Sequence, residues 1–376
     1  MDEDSTVYVG FDVSKVKHAV AIAESGRTGE VRFFGEIEAT PAAVERFVRK
    51  LEKKHRQLHF CYEAGPTGYG LQRQISAMGH VCEVVAPSCV PTRPGDRVKT
   101  NRRDAVTLAR LLRAGELTGI WVPDAVHEAM RDLVRAREAA SEDLRKKRQQ
   151  LQSFLLRHGR AFTGRRAGSA AYFRWLAAQK FEHPAQQIVF QDLIDAVRAA
   201  TERLAGFERH IEELAPDWSM AAVVAAYQAL RGVSLIVAAT FAVEVGDVRR
   251  FENPRQLMAF LGLVPSERST GESVKRGGLT LAGNRRARRV LVEGAWGYRH
   301  PARVTETIQK RLEGLPKVVR EIAWKAQVRL CKRYRHMTAA GKKAPIVIVA
   351  IAREMAAVLW AIGRAIDPQP AVRRTS

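Results

Sequence analysis

The order of short periodic segments between residues 7 and 86 limits the fold more than any other property of the chain. Residues 7–13 read VYVGFDV, so Val7, Val9, Phe11 and Val13 fall on one side of an extended strand and Tyr8, Gly10 and Asp12 on the other. KHAVAIAES and VRFFGEIEA follow after short turns, and the three segments together predict an antiparallel meander. PAAVERFVRKLEKK then has helical spacing, HFCYEA reads as a strand ending at Glu63, GYGLQRQISAMG as a helix closed by Gly79, and HVCEVVAP as a last strand. Three strands and then helix, strand, helix, strand predict an α/β domain with a mixed sheet.

Beyond it the text turns helical. SCVPTRPGDRV is a turn-rich connector, and NRRDAVTLARLLRAGE spaces Asp104, Leu108, Leu111 and Leu112 on one helical stripe, so Asp104 is expected to point inward. Residues 125–214 read as helix, with LVRAREAASEDLRKKRQQLQSFLLRHG long and charged enough for a coiled-coil arm or a spanning helix, although strict heptads are not sustained. Residues 223–263 predict two short helices around Gly232 and Gly246, with a loose likeness to a helix-hairpin-helix. GLVPSERSTGESVKRGGLTLAGNRRARR reads as a glycine-rich basic loop entering a basic helix. APIVIVAIAREMAAVLWAIG reads as a buried helix too polar to span a membrane. The division that follows is a domain at 1–122, a helical arm at 123–220 and a helical C-terminal domain at 221–376.

Charge says what such a chain meets. Lys and Arg total 62 against 40 Asp and Glu, a net +22 with a pI near 10.4, which points to a polyanionic partner. Residues 1–100 hold 14 basic and 13 acidic side chains, leaving 48 and 27 to the rest, so that partner should touch mainly the later chain. Four cysteines, Cys61, Cys82, Cys89 and Cys331, show no paired metal spacing and no disulfide density, which argues against zinc and suits a reducing cytoplasm. With no basic-then-apolar leader, a cytoplasmic protein with no membrane partner is expected.

Two sets of residues suggest chemistry. An ionised carboxylate on a half-buried strand is costly unless compensated, and Asp12, Glu63 and Asp104 repeat that pattern at two strand ends and an inward helix stripe. Converging carboxylates are hard ligands suited to Mg²⁺, although each acid alone could cap a turn or pair with Arg102 or Arg103. Later, Ser269 and Thr270 precede a glycine and are followed by Lys275 and Arg276. Such a segment can gather a phosphate and offer a hydroxyl nucleophile, though the same residues make ordinary turns. Arg285, Arg286, Arg288 and Arg289 cannot all face one way on a helix, so some would contact a polyanion and others solvent. Trp175, Trp218, Trp296 and Trp324 read as core or interface anchors.

Taken in order, GFDVSK, YEAGPTGYG, KTNRRDA, WVPD, RFENPRQLMAFLGLVPSE, STGESVKRGGLTLAGNRRARR and AIAREMAAVLWAI resemble, over nearly the whole chain, a known family. These are the bacterial insertion-sequence transposases of family one-ten, with a RuvC-like DEDD domain, also described as bridge-RNA-guided recombinases. The resemblance implies an RNase-H-like N-terminal domain, an arm used in oligomerisation as dimer or tetramer, and a C-terminal transposase domain. It carries the DEDD motif onto Asp12, Glu63 and Asp104, and puts Asn101 where the family has its other Asp; Asp96, five residues earlier in the connector, is an acid that could substitute. It also implies Mg²⁺, element and target DNA, and a structured guide RNA. The family's nucleophilic serine falls on Thr270, with Ser269 adjacent. The alternative is a RuvC-like Mg²⁺-dependent structure-selective nuclease without a covalent intermediate. An actin-like ATPase would need a second Asp-Gly phosphate loop that the sequence lacks, and a purely binding protein would leave the three acids without a joint purpose.

Overall fold

The computed structural model describes residues 6–26, 28–91, 100–164, 168–271 and 273–366. The chain divides into two compact units at Val122/Pro123.

In the first unit the expected elements form as β1 (Thr6–Asp12), β2 (Lys17–Glu24), β3 (Val31–Glu38), α1 (Pro41–Glu52), β4 (Gln57–Glu63), α2 (Gly70–Ala77), β5 (Val81–Val85) and α3 (Asn101–Arg113). The sheet order is β3-β2-β1-β4-β5. The first three strands pair antiparallel, while β4 lies parallel to β1 and β5 parallel to β4. That is an RNase-H-like mixed sheet. Alternation divides its two faces. Val7, Val9, Phe11, Leu58, Phe60 and Tyr62 pack with Val44, Phe47, Val48 and Leu51 of α1 and Ile75 of α2. Burial of each such side chain stabilises by about 1.5–3 kcal/mol. The opposite face carries Ala19, Ala21 and Ala23, against which Ala105 and Ala109 of α3 are packed. Asp96 lies outside the described residues.

The second unit is helical. Two long helices, α4 (Ala125–Arg157) and α6 (Pro184–Leu214), pack along each other, with α5 (Ala170–Ala177) between them in sequence. One end of this pair has its own core of Leu144, Leu151, Phe154, Tyr172, Phe181 and Phe190. At the other end Met130, Val134 and Ile211 join the main core of the unit. That core is built by α7 (Ala221–Tyr227), α8 (Leu235–Val245), α9 (Pro254–Phe260), α10 (Arg285–Ala295), α11 (Glu306–Leu312), α12 (Lys317–Ala339) and α13 (Ala344–Arg364). Gly232, at φ 82°, lets the turn before α8 touch α10, since a Cβ there would lie 2.2 Å from the Gly294 carbonyl oxygen.

Three expectations need correction. Residues 223–263 hold three helices, because Gly232 and Gly246 each end a segment and α9 restarts under an Asn253 cap with Pro254 behind it. The glycine-rich stretch is a β-hairpin, β6 (Pro265–Thr270) and β7 (Ser273–Leu279), turned by Gly271 at φ 57°. Polar and charged residues stand on both of its faces, which hides a strand period when only hydrophobicity is counted. Finally, α13 is long and apolar enough, by length and composition, to cross a membrane. Burial of Val347, Ile351, Met355, Leu359 and Ile362 in the unit's core accounts for its apolar face, not excess polarity.

Candidate active site

The first group of functional candidates rests on how closely α3 lies on the sheet. Gly10 is directly beneath it: a Cβ there would fall 2.5 Å from the Ala105 carbonyl oxygen and 2.5 Å from the Ala109 nitrogen. With Gly10 and the β2 alanines on the sheet and Ala105 and Ala109 on the helix, the two backbones approach closely over Gly10, with Tyr8, Phe33 and Val106 packed around the contact. The helix direction follows from its far end, where Arg113 donates to the carbonyls of Glu24 at 3.2 Å and Gly29 at 2.6 Å. Glu24 pairs with Val7, at the start of β1, so α3 runs against β1 and begins near its end.

That direction brings the three acids to one end of the sheet. Asp12 pairs with Ala19 and shares the α3 face with Gly10. The parallel register runs to Phe11 opposite Tyr62, which makes Asp12 and Glu63 the next positions on adjacent strands. Glu63 follows Cys61 on the same face, and the Cys61 thiol donates to the Leu108 carbonyl of α3 at 3.7 Å. Asp104 stands in the first turn of α3, half-buried and favoured there by the helix dipole. Asn101, one turn earlier and on the same stripe, is exposed. As hard oxygen donors on one face these groups fit a divalent cation in chemistry. Their side chains are not drawn together, for no cluster of three His, Cys, Asp or Glu able to hold a metal occurs among the described residues. Arg102 stacks over the Phe33 ring at 5.4 Å, and Arg103 is exposed.

In the second unit the hairpin separates the two hydroxyls. The register pairs Glu267 with Arg276, Arg268 with Lys275, Ser269 with Val274 and Thr270 with Ser273. Alternation therefore puts Glu267, Ser269 and Arg276 on one side and Arg268, Thr270, Ser273 and Lys275 on the other. Ser269 Oγ donates to Glu267 Oε1 at 2.7 Å, and Arg276 Nε approaches Glu267 Oε2 at 3.4 Å. These contacts hold the Glu267 carboxyl below its usual range.

The arginine run on α10 is mostly engaged within the protein. Arg286 binds Glu138 of α4 at 2.6 Å, and Arg289 binds Glu138 at 3.2 Å and Glu293 at 2.8 Å. Arg288 donates to the Leu261 carbonyl at 2.7 Å, and burial lowers its pKa. Arg285 lines a cleft of about 960 Å³ with Arg145, Arg148, Tyr172 and Phe173. Sequence reasoning missed the partner of this helix, the buried Glu244 of α8. Its carboxylate takes Arg135 through two bonds of 2.7 and 3.0 Å and Asn284, the α10 cap, at 2.8 Å. Burial alone would raise the Glu244 pKa, but the bonds from Arg135 and Asn284 outweigh it and lower it. The only sequence signal was a lone Glu in an otherwise apolar helix.

Known proteins match both units. Residues 9–159 match the profile of a DEDD transposase, and residues 225–309 match the Transposase IS116/IS110/IS902 family. A Sinorhizobium fredii relative, y4qE, named as an inferred transposase, is 57% identical over 95% of this chain and 88% of its own length. The transposase for insertion sequence element IS1533 of Leptospira borgpetersenii is 32% identical over 90% of this chain and 98% of its own.

Proposed function

The chain belongs to the IS116/IS110/IS902 family of insertion-sequence transposases, and from that premise we propose that it moves DNA by phosphoryl transfer through a covalent protein–DNA ester. The observation that supports this reading is the position of Asp12, Glu63 and Asp104 at the same end of the first unit's sheet, on its α3 side, although their side chains do not form a cluster. Asp12, Glu63 and Asp104 would hold Mg²⁺, with Asn101 as a neutral fourth donor that binds it more weakly than an Asp. A cation held there supplies charge neutralisation at the scissile phosphate. The hairpin of the second unit supplies the hydroxyl, Thr270 or Ser269, that attacks phosphorus and keeps the bond energy in an ester for rejoining.

DNA is held through its backbone by the basic later chain, with Arg102, Arg103, Lys275, Arg276, Arg285, Arg286, Arg288 and Arg289 as the first candidates. The internal ion pairs of Arg276, Arg286 and Arg289 rank Lys275 and Arg285 ahead of them. A structured RNA from the element would choose donor and target by base pairing, with the protein reading backbones only. The three-part division into catalytic domain, helical arm and transposase domain belongs to the same reading, as do assembly as a dimer or tetramer through the arm and action in the cytoplasm. The test is a denaturing gel of the protein after incubation with its element's junction DNA, RNA and Mg²⁺. A DNA-linked species that survives denaturation is expected. Free ends without an adduct would establish the water-activating nuclease instead.

A further inference from the structure

Resting on the reading that a hairpin hydroxyl attacks phosphorus, we infer that Arg268 and Lys275 form the grip that seats the scissile phosphodiester against Thr270, and that Glu267 keeps Ser269 out of the reaction. The strand register carries the argument. Arg268 and Lys275 are direct cross-strand partners on the Thr270 side, where side-chain origins stand about 4.5–5.5 Å apart. Like charges directly opposite weaken a two-stranded hairpin, which is marginal on its own account. Neither cation has an ion pair among the described residues. Two like charges set opposite each other favour an anion between them, and a phosphodiester is the anion this enzyme handles.

The other side of the hairpin is built in the opposite sense. Glu267 is neutralised by Arg276 across the strand and accepts the Ser269 hydroxyl at 2.7 Å. A phosphate approaching Ser269 meets a carboxylate, while one approaching Thr270 meets two positive charges and the neighbouring Ser273 hydroxyl. Thr270 is two residues from Arg268 along the strand, about 6.8 Å, a span that an arginine or lysine side chain covers. In the step itself the Thr270 Oγ1–P bond forms and the P–O bond to one DNA strand breaks. The hydroxyl proton leaves, the departing strand oxygen takes up a proton, and one phosphodiester replaces another. The two cations hold the charge that builds on the phosphoryl oxygens.

The experiment uses the full chain with its element's junction DNA, RNA and Mg²⁺. It compares wild type with Arg268→Gln, Lys275→Gln, the double Gln variant and the charge-keeping swap Arg268→Lys/Lys275→Arg. Peptide mass spectrometry locates the DNA-linked residue, and calorimetry gives the melting temperature. The adduct is expected on Thr270. The double Gln variant should form it about 10²-fold more slowly at saturating DNA, the swap should restore most of the rate, and neither Gln change should lower the melting temperature. An adduct on Ser269, or a wild-type rate in the double Gln variant, overturns the inference. So does a melting temperature lowered by more than about 3 °C in both Gln variants, since the pair would then be supporting the hairpin. A wild-type protein that cleaves without any adduct on the hairpin overturns the parent reading instead.

Discussion

Replacing Gly10 by alanine should separate the α3 contact from everything else in the first unit. The added Cβ would stand 2.5 Å from the Ala105 oxygen, 2.5 Å from the Ala109 nitrogen and 2.9 Å from Leu108 Cβ. The first two are backbone atoms of α3 and cannot rotate away. With ordinary contact beginning near 3.4 Å, the helix must retreat by about 1 Å. Overpacking of this kind costs about 1–3 kcal/mol, which in a unit of this size lowers the melting temperature by roughly 4–12 °C. Asp104 is carried by the same helix, so the retreat also moves it relative to Asp12 and Glu63. A 1 Å misplacement in a reacting constellation costs about 10²-fold in rate. The assay is Mg²⁺-dependent strand cleavage measured at a temperature well below the transition, beside scanning calorimetry. Gly70→Ala is the control, because a Cβ there meets nothing within 4 Å. Gly10→Ala cleaving and melting like Gly70→Ala would refute the claim that α3 rests on Gly10.

Asp12→Ala, Glu63→Ala and Asp104→Ala should each abolish cleavage with little change in melting, and full activity in any two of them sinks the metal-site reading. Asn101→Asp should lower the Mg²⁺ concentration for half activity, an effect absent if Asn101 lies away from the cation. Glu244→Ala removes the buried acceptor shared by Arg135 and Asn284, and because the Arg135 side chain is 40% exposed the loss should stay below the about 3–5 kcal/mol of a fully buried pair. Because the folded Glu244 pKa lies below its ordinary 4.5, its contribution is fully present above 4.5 and disappears as pH falls through the depressed value. Urea titrations at stepped pH should show that acid loss in wild type and a flatter curve in Glu244→Gln. Affinity for DNA should fall at least about 10³-fold between 50 and 200 mM salt if six or more phosphates are neutralised, and a flat response would overturn the charge argument.

Much of the first unit was legible in the sequence because strand alternation is local. The period of VYVGFDV assigns Asp12 to a face, and the order of elements sets the mixed sheet, with no knowledge of distant residues. The same period in KHAVAIAES gathers alanines on one side, a sign of close packing that becomes meaningful only once α3 is seen resting there. The hairpin was harder to read because most of its residues are polar or glycine, so its alternation carries little hydrophobic contrast.

Residue chemistry and charge balance were also settled by the sequence alone: which acids exist, which hydroxyls precede Gly271, and where the excess of arginine lies. Tertiary structure decided which of those groups are engaged. Arg286 and Glu138 are 148 residues apart, and Arg135 and Glu244 are 109 apart. No local pattern announces such pairs, because an ion pair depends on where two helices come to rest, whereas the face a residue occupies depends only on the dihedral angles of its own segment. The direction of α3, which brings Asp104 to the end of β1, was likewise decided by packing over Gly10 and by Arg113 binding the far end of the sheet.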